Sequence, residues 1–128
     1  MSLSVYVFAP GAGDRMEVLD TPPGSGDAAG FENWRRTVWG SDAVRKLGCR
    51  LFPVLATDDL TVAPAEVEEF LQECAMIRAN LDVVAPHPNP YRPKDEHVDT
   101  MNAVSARLAN IEAAAARARA SGCGVIIW

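Results

Sequence analysis

The sequence predicts an α+β (or small α/β) domain: a sheet of three to five strands with two long antiparallel helices, and one or two short helices, packed on it. Three observations carry this. Two long segments place apolar residues at three- and four-residue steps, which gives a helix one buried stripe. Between and around them stand short runs rich in β-branched and aromatic residues, bounded by Gly, Pro and Asp. A proline-rich joint at 85–93 links the two long helices, which turns the second back along the first. The 128 residues fit one domain, 1–128, and a chain of this size buries roughly two-thirds of its unfolded surface without needing a staple.

Leu3 to Ala9 (LSVYVFA) reads as the first strand and stops at Pro10-Gly11. Met1 to Leu3 are given no role. Residues 10–30 form a loop or hairpin region, in which MEVL, Met16 to Leu19, is a short edge strand pairing with the first across the GAGD turn. Phe31 to Val38 is expected as a short helix with Phe31, Trp34 and Val38 on one face. Ser41 then looks like an N-cap, with Asp42 in the first turn, Val44 and Leu47 facing in, and Gly48 at the C′ position. Cys49 to Ala56 (CRLFPVLA) reads as a second strand, with Pro53 favouring an edge or a bulge. Leu60 to Val62 is a short return strand. The first long helix runs from about Pro64 to Leu81 on Val67, Phe70, Leu71, Cys74 and Ile77, with glutamates in its first turns. The second runs from about Lys94 to Ala120, with the seam Met101, Val104, Leu108, Ile111 and Ala115. Gly124 to Trp128 (GVIIW) is the closing strand.

The formal charge of −5 argues against nonspecific nucleic-acid binding, which needs a basic footprint, and fits a basic protein partner. Three widely spaced cysteines without C-x-x-C make a disulfide framework or zinc knuckle a poor reading. No apolar run is long enough to span a bilayer and no secretory leader is evident, so the expected location is the cytoplasm. No cofactor or metal is expected.

Two regions hold candidate binding residues. NWRRTVWG supplies Trp34, Arg35, Arg36 and Trp39, residue types that dominate protein-binding hot spots. Arg35 and Trp39, four apart, could make a cation–π contact, with Trp34 in the core and Trp39 and the arginines at the surface. The joint and its flank supply His87, Tyr91, Arg92 and His97. Metal ligation there has the wrong spacing: His97 lacks a ligand three or four residues away on its own face, and Asp95 and Glu96 are explained as acids in the first turn of a helix started by Pro93. GAGDR lacks the third glycine of a dinucleotide fingerprint and is expected as a hairpin turn. Cys74 is expected in the core and Cys123 in a helix-to-strand turn, neither as a nucleophile.

The succession WGSDAVRKLG, LFPVLATDDLTV, AEVEEFLQECAMIRANL and RLANIEAAAARARASGCGVIIW, residues 34–128, resembles a set of small uncharacterised bacterial α/β proteins. They share a W-G-S helix start, a short hairpin, a Glu-rich helix and a G-V-x-I-W closing strand. Small acidic bacterial proteins of this look are often immunity proteins of toxin systems. The resemblance therefore implies a non-catalytic, toxin-neutralising protein binder. The alternative is a small enzyme or ligand-binding domain with its pocket near the interhelix joint, and a homodimer is a further option.

Overall fold

A computed structural model describes residues 2–11, 16–86 and 94–128. Five antiparallel strands form its sheet: β1 (Ser2–Pro10), β2 (Met16–Val18), β3 (Ala28–Phe31), β4 (Leu60–Val62) and β5 (Gly124–Ile127). Central β1 has β5 on one edge and shares its other edge between two short strands: β3 beside its first residues, β2 beside its last. β4 completes the order against β5. β1 alternates strictly, so Leu3, Val5 and Val7 join Val125 and Ile127 of β5 and Leu60 and Val62 of β4 on a single inner face, all in the main core. Leu3, the first residue of the expected strand, is fully buried there.

Four helices follow: α1 (Asp42–Lys46), α2 (Val67–Ala79), α3 (Leu81–Val84) and α4 (Lys94–Ser121). α4 crosses the sheet on the predicted seam; Val104, Leu108, Ile111 and Ala115 are fully buried and Met101 packs at the margin. α2 lies against α4 through Phe70, Cys74 and Ile77. Arg78 near the end of α2 donates to Glu112 (2.6 Å) and to Ser105, while Glu68 near its start meets Arg119 (3.5 Å), so the two helices are antiparallel as expected. Pro64–Glu66 opens α2 as a 3₁₀ turn, and the Glu66 carboxylate accepts from the Ala63 amide. Ser41 caps α1 by accepting from Val44 N–H, and Gly48 follows it with φ 95°, the left-handed C′ geometry.

Two predicted elements differ. Phe31 to Val38 is not one helix: Ala28–Phe31 is strand β3, and a π-helical turn, Arg35–Trp39, follows. Cys49 to Ala56 is not a strand: Phe52–Ala56 is a 3₁₀ turn carrying Pro53, so no ladder donor is lost to that proline. Both turns feed one row of rings, Trp34–Trp39–Phe52–Phe70, with centroids 5.9, 5.4 and 4.8 Å apart, which extends the core from the β3 edge to α2. Residues 12–15, which include all but the first glycine of the GAGD turn, and residues 87–93 of the joint at 85–93 lie outside the described residues. Among the described residues no helix is long and apolar enough to cross a membrane.

Candidate functional site

The site grows out of the π-helical turn. Gly30 sits at φ 116°, a conformation only glycine holds without strain, and a Cβ there would collide with the Trp34 ring. The chain then closes an i→i+5 bond, Gly40 N–H to Arg35 C=O, 2.8 Å. That wider turn holds one residue more than an α-turn, so Trp34, Val38 and Trp39 all point inward and are buried. Trp39, expected at the surface, is fully enclosed and its indole N–H donates to Ala29 C=O (2.8 Å). Neither tryptophan offers a contact surface.

Arg35, expected to stack on Trp39, is committed elsewhere. Its Nε donates to Glu32 (2.6 Å), one Nη to Asp59 (2.7 Å), and the other Nη to the carbonyls of Asp58 (2.9 Å) and Leu55 (3.4 Å). Burial alone would lower its pKa, but the hydrogen bonds to Asp59 and Glu32 more than offset that and raise it. The fork thus ties the π-turn to the end of the 3₁₀ turn, fixing two walls of a cleft of about 820 Å³. One wall is Glu32, Asn33, Arg35, Arg36 and Thr37, the other Ala56–Asp59. Past Arg36, Ala56 and Thr57 the cleft continues into a depression of about 430 Å³ edged by Ser41, Asp42 and Arg45. Arg36 borders both parts and is exposed; its backbone N–H donates to Asn33 C=O (3.2 Å), while its guanidinium makes no hydrogen bond or ion pair among the described residues. Of the four residues singled out in NWRRTVWG, the structure brings Arg35 and Arg36 to this groove and withdraws the two tryptophans.

The second predicted group does not assemble on the groove. His87, Tyr91 and Arg92 lie outside the described residues, and His97, in the first turns of α4, does not line the groove.

Sequence reading missed Glu73. Only 3% exposed, its carboxylate accepts from three consecutive backbone amides: Arg50 N–H (3.1 Å), Leu51 N–H (3.0 and 3.1 Å) and Phe52 N–H (3.1 Å). A signal existed: position 73 lies on the apolar stripe of α2, between Phe70 and Ile77, where a carboxylate needs dedicated partners. Burial, then the Glu73 charge and hydrogen bond, push the Cys49 thiol up to about 12. Burial, with Glu112 and Glu73 adding, raises Cys74 as well. Both are therefore thiols at neutral pH, the state that is inert as a nucleophile. Cys123 is buried in the turn after α4, with its Sγ 3.6 Å from Ser121 C=O. Among the described residues no group of three His, Cys, Asp or Glu could hold a metal ion.

The arrangement is thus a polar groove whose two walls Arg35 ties together, with the Arg36 guanidinium uncommitted among the described residues. Comparison of the chain with protein-family models, with curated proteins and with solved structures finds no match.

Proposed function

We propose that this chain is a non-catalytic protein-binding module that docks its partner on the Arg36 groove, in the manner of a toxin-neutralising immunity protein acting in the cytoplasm. One observation supports the reading: among the described residues the Arg36 guanidinium stands unpaired on a groove whose walls are tied by Arg35. The Arg35 bonds spare the backbone of the groove an ordering cost on binding, and the exposed Arg36 guanidinium, though it gives up rotamer freedom, presents a planar fork to a carboxylate or carbonyl of the partner. The acids nearby, Glu32, Asp42, Asp58 and Asp59, together with the net charge of −5, favour a basic partner and speed its approach.

The test is capture from a lysate of the source cells by the tagged chain, wild type against Arg36→Glu, at low and moderate salt. The expected result is one stoichiometric protein, weakened by salt, whose affinity falls at least about tenfold in the variant, a loss of about 1.4 kcal/mol. Far-UV circular dichroism should be unchanged, because Arg36 holds nothing in the fold. A partner bound equally by both proteins would place the contact elsewhere, and no partner at either salt would sink the reading.

A further inference from the structure

We infer that Trp128, Tyr6 and Asp27, on the sheet face turned away from the helices, form a docking point for an arginine side chain of a basic protein. Strand register places the three in a row. Ser4 and Tyr6 of β1 alternate away from Leu3, Val5 and Val7, which join the core. Trp128 exchanges backbone hydrogen bonds with Ser4 (2.8 and 3.1 Å), so its side chain shares their face on the β5 flank of β1. Its ring centroid is 6.0 Å from that of Tyr6. Asp27 immediately precedes β3, on the opposite flank of β1, and its carboxylate accepts from the Tyr6 hydroxyl (2.8 Å). Across the sheet the row therefore runs ring, ring, carboxylate.

The row is anchored in the fold, yet its chemistry is unfinished. The Asp27 carbonyl accepts from Val5 N–H (2.8 Å), and the adjoining Ala28 carbonyl accepts from the Asn110 side chain (2.9 Å), which together pin the carboxylate in place. Among the described residues no ion pair includes Asp27, so the carboxylate lacks a cation. The bond to Asp27, then burial, then the Asp27 charge raise the Tyr6 pKa, so the phenol stays a neutral donor. At the other end Trp128 is 42% exposed, whereas Trp34 and Trp39 are sealed in the core. An exposed indole in line with an uncompensated carboxylate is a recognition feature rather than a packing one.

The occupant follows from that chemistry. Asp27 repels an anion. The phenolic hydrogen of Tyr6 is already given to Asp27, so an uncharged polar ligand finds no free side-chain donor in the row. A guanidinium satisfies both halves: its plane stacks on an aromatic face while its N–H fork meets the carboxylate. An ammonium brings the charge without the plane and matches less well. The arginine stem is long enough to lie along Trp128 and Tyr6 with its head on Asp27. A net charge of −5 draws basic proteins toward the chain. Leu60 of β4 stands opposite Ile127 of β5, so Asp59 of the groove and Trp128 lie at the same end of the sheet. The docking point is nevertheless independent of the Arg36 groove, since no residue is shared between them.

Titration of the full, nitrogen-labelled chain with N-acetyl-arginine-N-methylamide at low salt, followed residue by residue by NMR, tests this. The expected result is a saturable shift centred on Tyr6, Asp27 and the Trp128 indole N–H, half-complete at a probe concentration on the order of 1–10 mM. The lysine analogue should bind several-fold more weakly, and the glutamate analogue should leave these signals in place. Asp27→Asn keeps an acceptor for the Tyr6 hydroxyl but removes the charge, and should weaken the arginine probe at least about tenfold. Trp128→Ala, at an exposed ring, should weaken it as well and serves alone if Asp27→Asn misfolds. Asp42→Asn, which removes an exposed carboxylate outside the row, should bind like the wild type. Shifts that never saturate, or that centre on other acids such as Asp42 and Glu68, overturn the inference. So does undiminished binding in Asp27→Asn and Trp128→Ala, and equal binding of the lysine analogue overturns the assignment to a guanidinium. Partner capture decides the groove reading separately: a chain that binds the probe here yet captures no protein loses the groove alone.

Discussion

The stretch Arg50–Asp59 is held at its two ends by opposite charges. At its start, the buried Glu73 carboxylate collects the amides of Arg50, Leu51 and Phe52; at its end, the Arg35 guanidinium collects the carbonyls of Leu55 and Asp58. Each charge does what a neighbouring strand would otherwise do, satisfying backbone groups of a segment that joins no ladder until Leu60. The two differ in solvent. Glu73 is 3% exposed, while the Arg35 side chain is 17% exposed and its carboxylate partners, Glu32 and Asp59, are about half exposed. Water can replace the guanidinium at the carbonyls; it has no ready route to the three amides. The same chemistry therefore supports the fold at one end and shapes a surface at the other.

The largest effect expected from breaking this symmetry is at Glu73. Glu73→Ala strands three amides beside a new cavity, and should cost roughly 3–5 kcal/mol, since each unmade buried bond costs about 1–3 kcal/mol and the cavity opened by the substitution admits water to some of the amides. The fall in Tm should be on the order of 10–20 °C. Glu73→Gln keeps the shape and one acceptor oxygen but turns an NH₂ toward amide donors, and should cost about half as much. Urea denaturation of both variants measures this; a loss below about 1 kcal/mol in Glu73→Ala would show that the amides rely on something else.

Arg35→Ala comes next. Of its carbonyl partners Asp58 is exposed and Leu55 only part-buried at the bond, so the expected cost is about 1–2 kcal/mol, discounted for screening. Its second consequence separates it from Glu73: with the fork gone the groove walls are no longer tied, so partner capture should weaken even where the chain is fully folded. Arg35→Ala that destabilises yet binds like wild type would mean the latch serves the fold alone.

What could be read in advance follows the same division. β1, β4, β5, the Ser41 cap and both long helices were legible because each is decided by its own residues, through alternation, capping or a three-four stripe. CRLFPVLA was misread because its apolar content suits a strand, while its conformation is settled by Glu73, 21 to 23 residues away. The π-turn was misread because four-residue spacing was assumed. Gly30 and the bond from Trp39 to Ala29 insert the extra residue that turns Trp39 inward and leaves Arg35 free to bind Asp59. Of the site, the sequence yielded the two arginines and not their facing wall, because Ala56–Asp59 reaches them only once the 3₁₀ turn forms.

The smallest effect sharpens the comparison within one residue. Arg50 gives its amide to buried Glu73 and its guanidinium to exposed carboxylates, Glu69 at 2.7 and 3.0 Å and Glu66 at 3.2 Å. The hydrogen bond from Arg50, aided by its charge and opposed by slight burial, lowers the Glu69 pKa, so folding favours the ionised form. A carboxylate depressed in the folded state contributes stability above its unfolded pKa and loses it as pH falls through the folded one. Arg50→Ala should therefore lower Tm slightly at pH 7 in low salt. The difference should fade as pH drops below the ordinary carboxylate range, and fade also as salt rises. It should be far smaller than that of Glu73→Ala, since both partners are solvated and the amide of residue 50 still reaches Glu73. A Tm difference that persists unchanged in acid would assign the effect to packing of the arginine stem, and the contrast between buried and solvated charge would then rest on Glu73 and Arg35 alone.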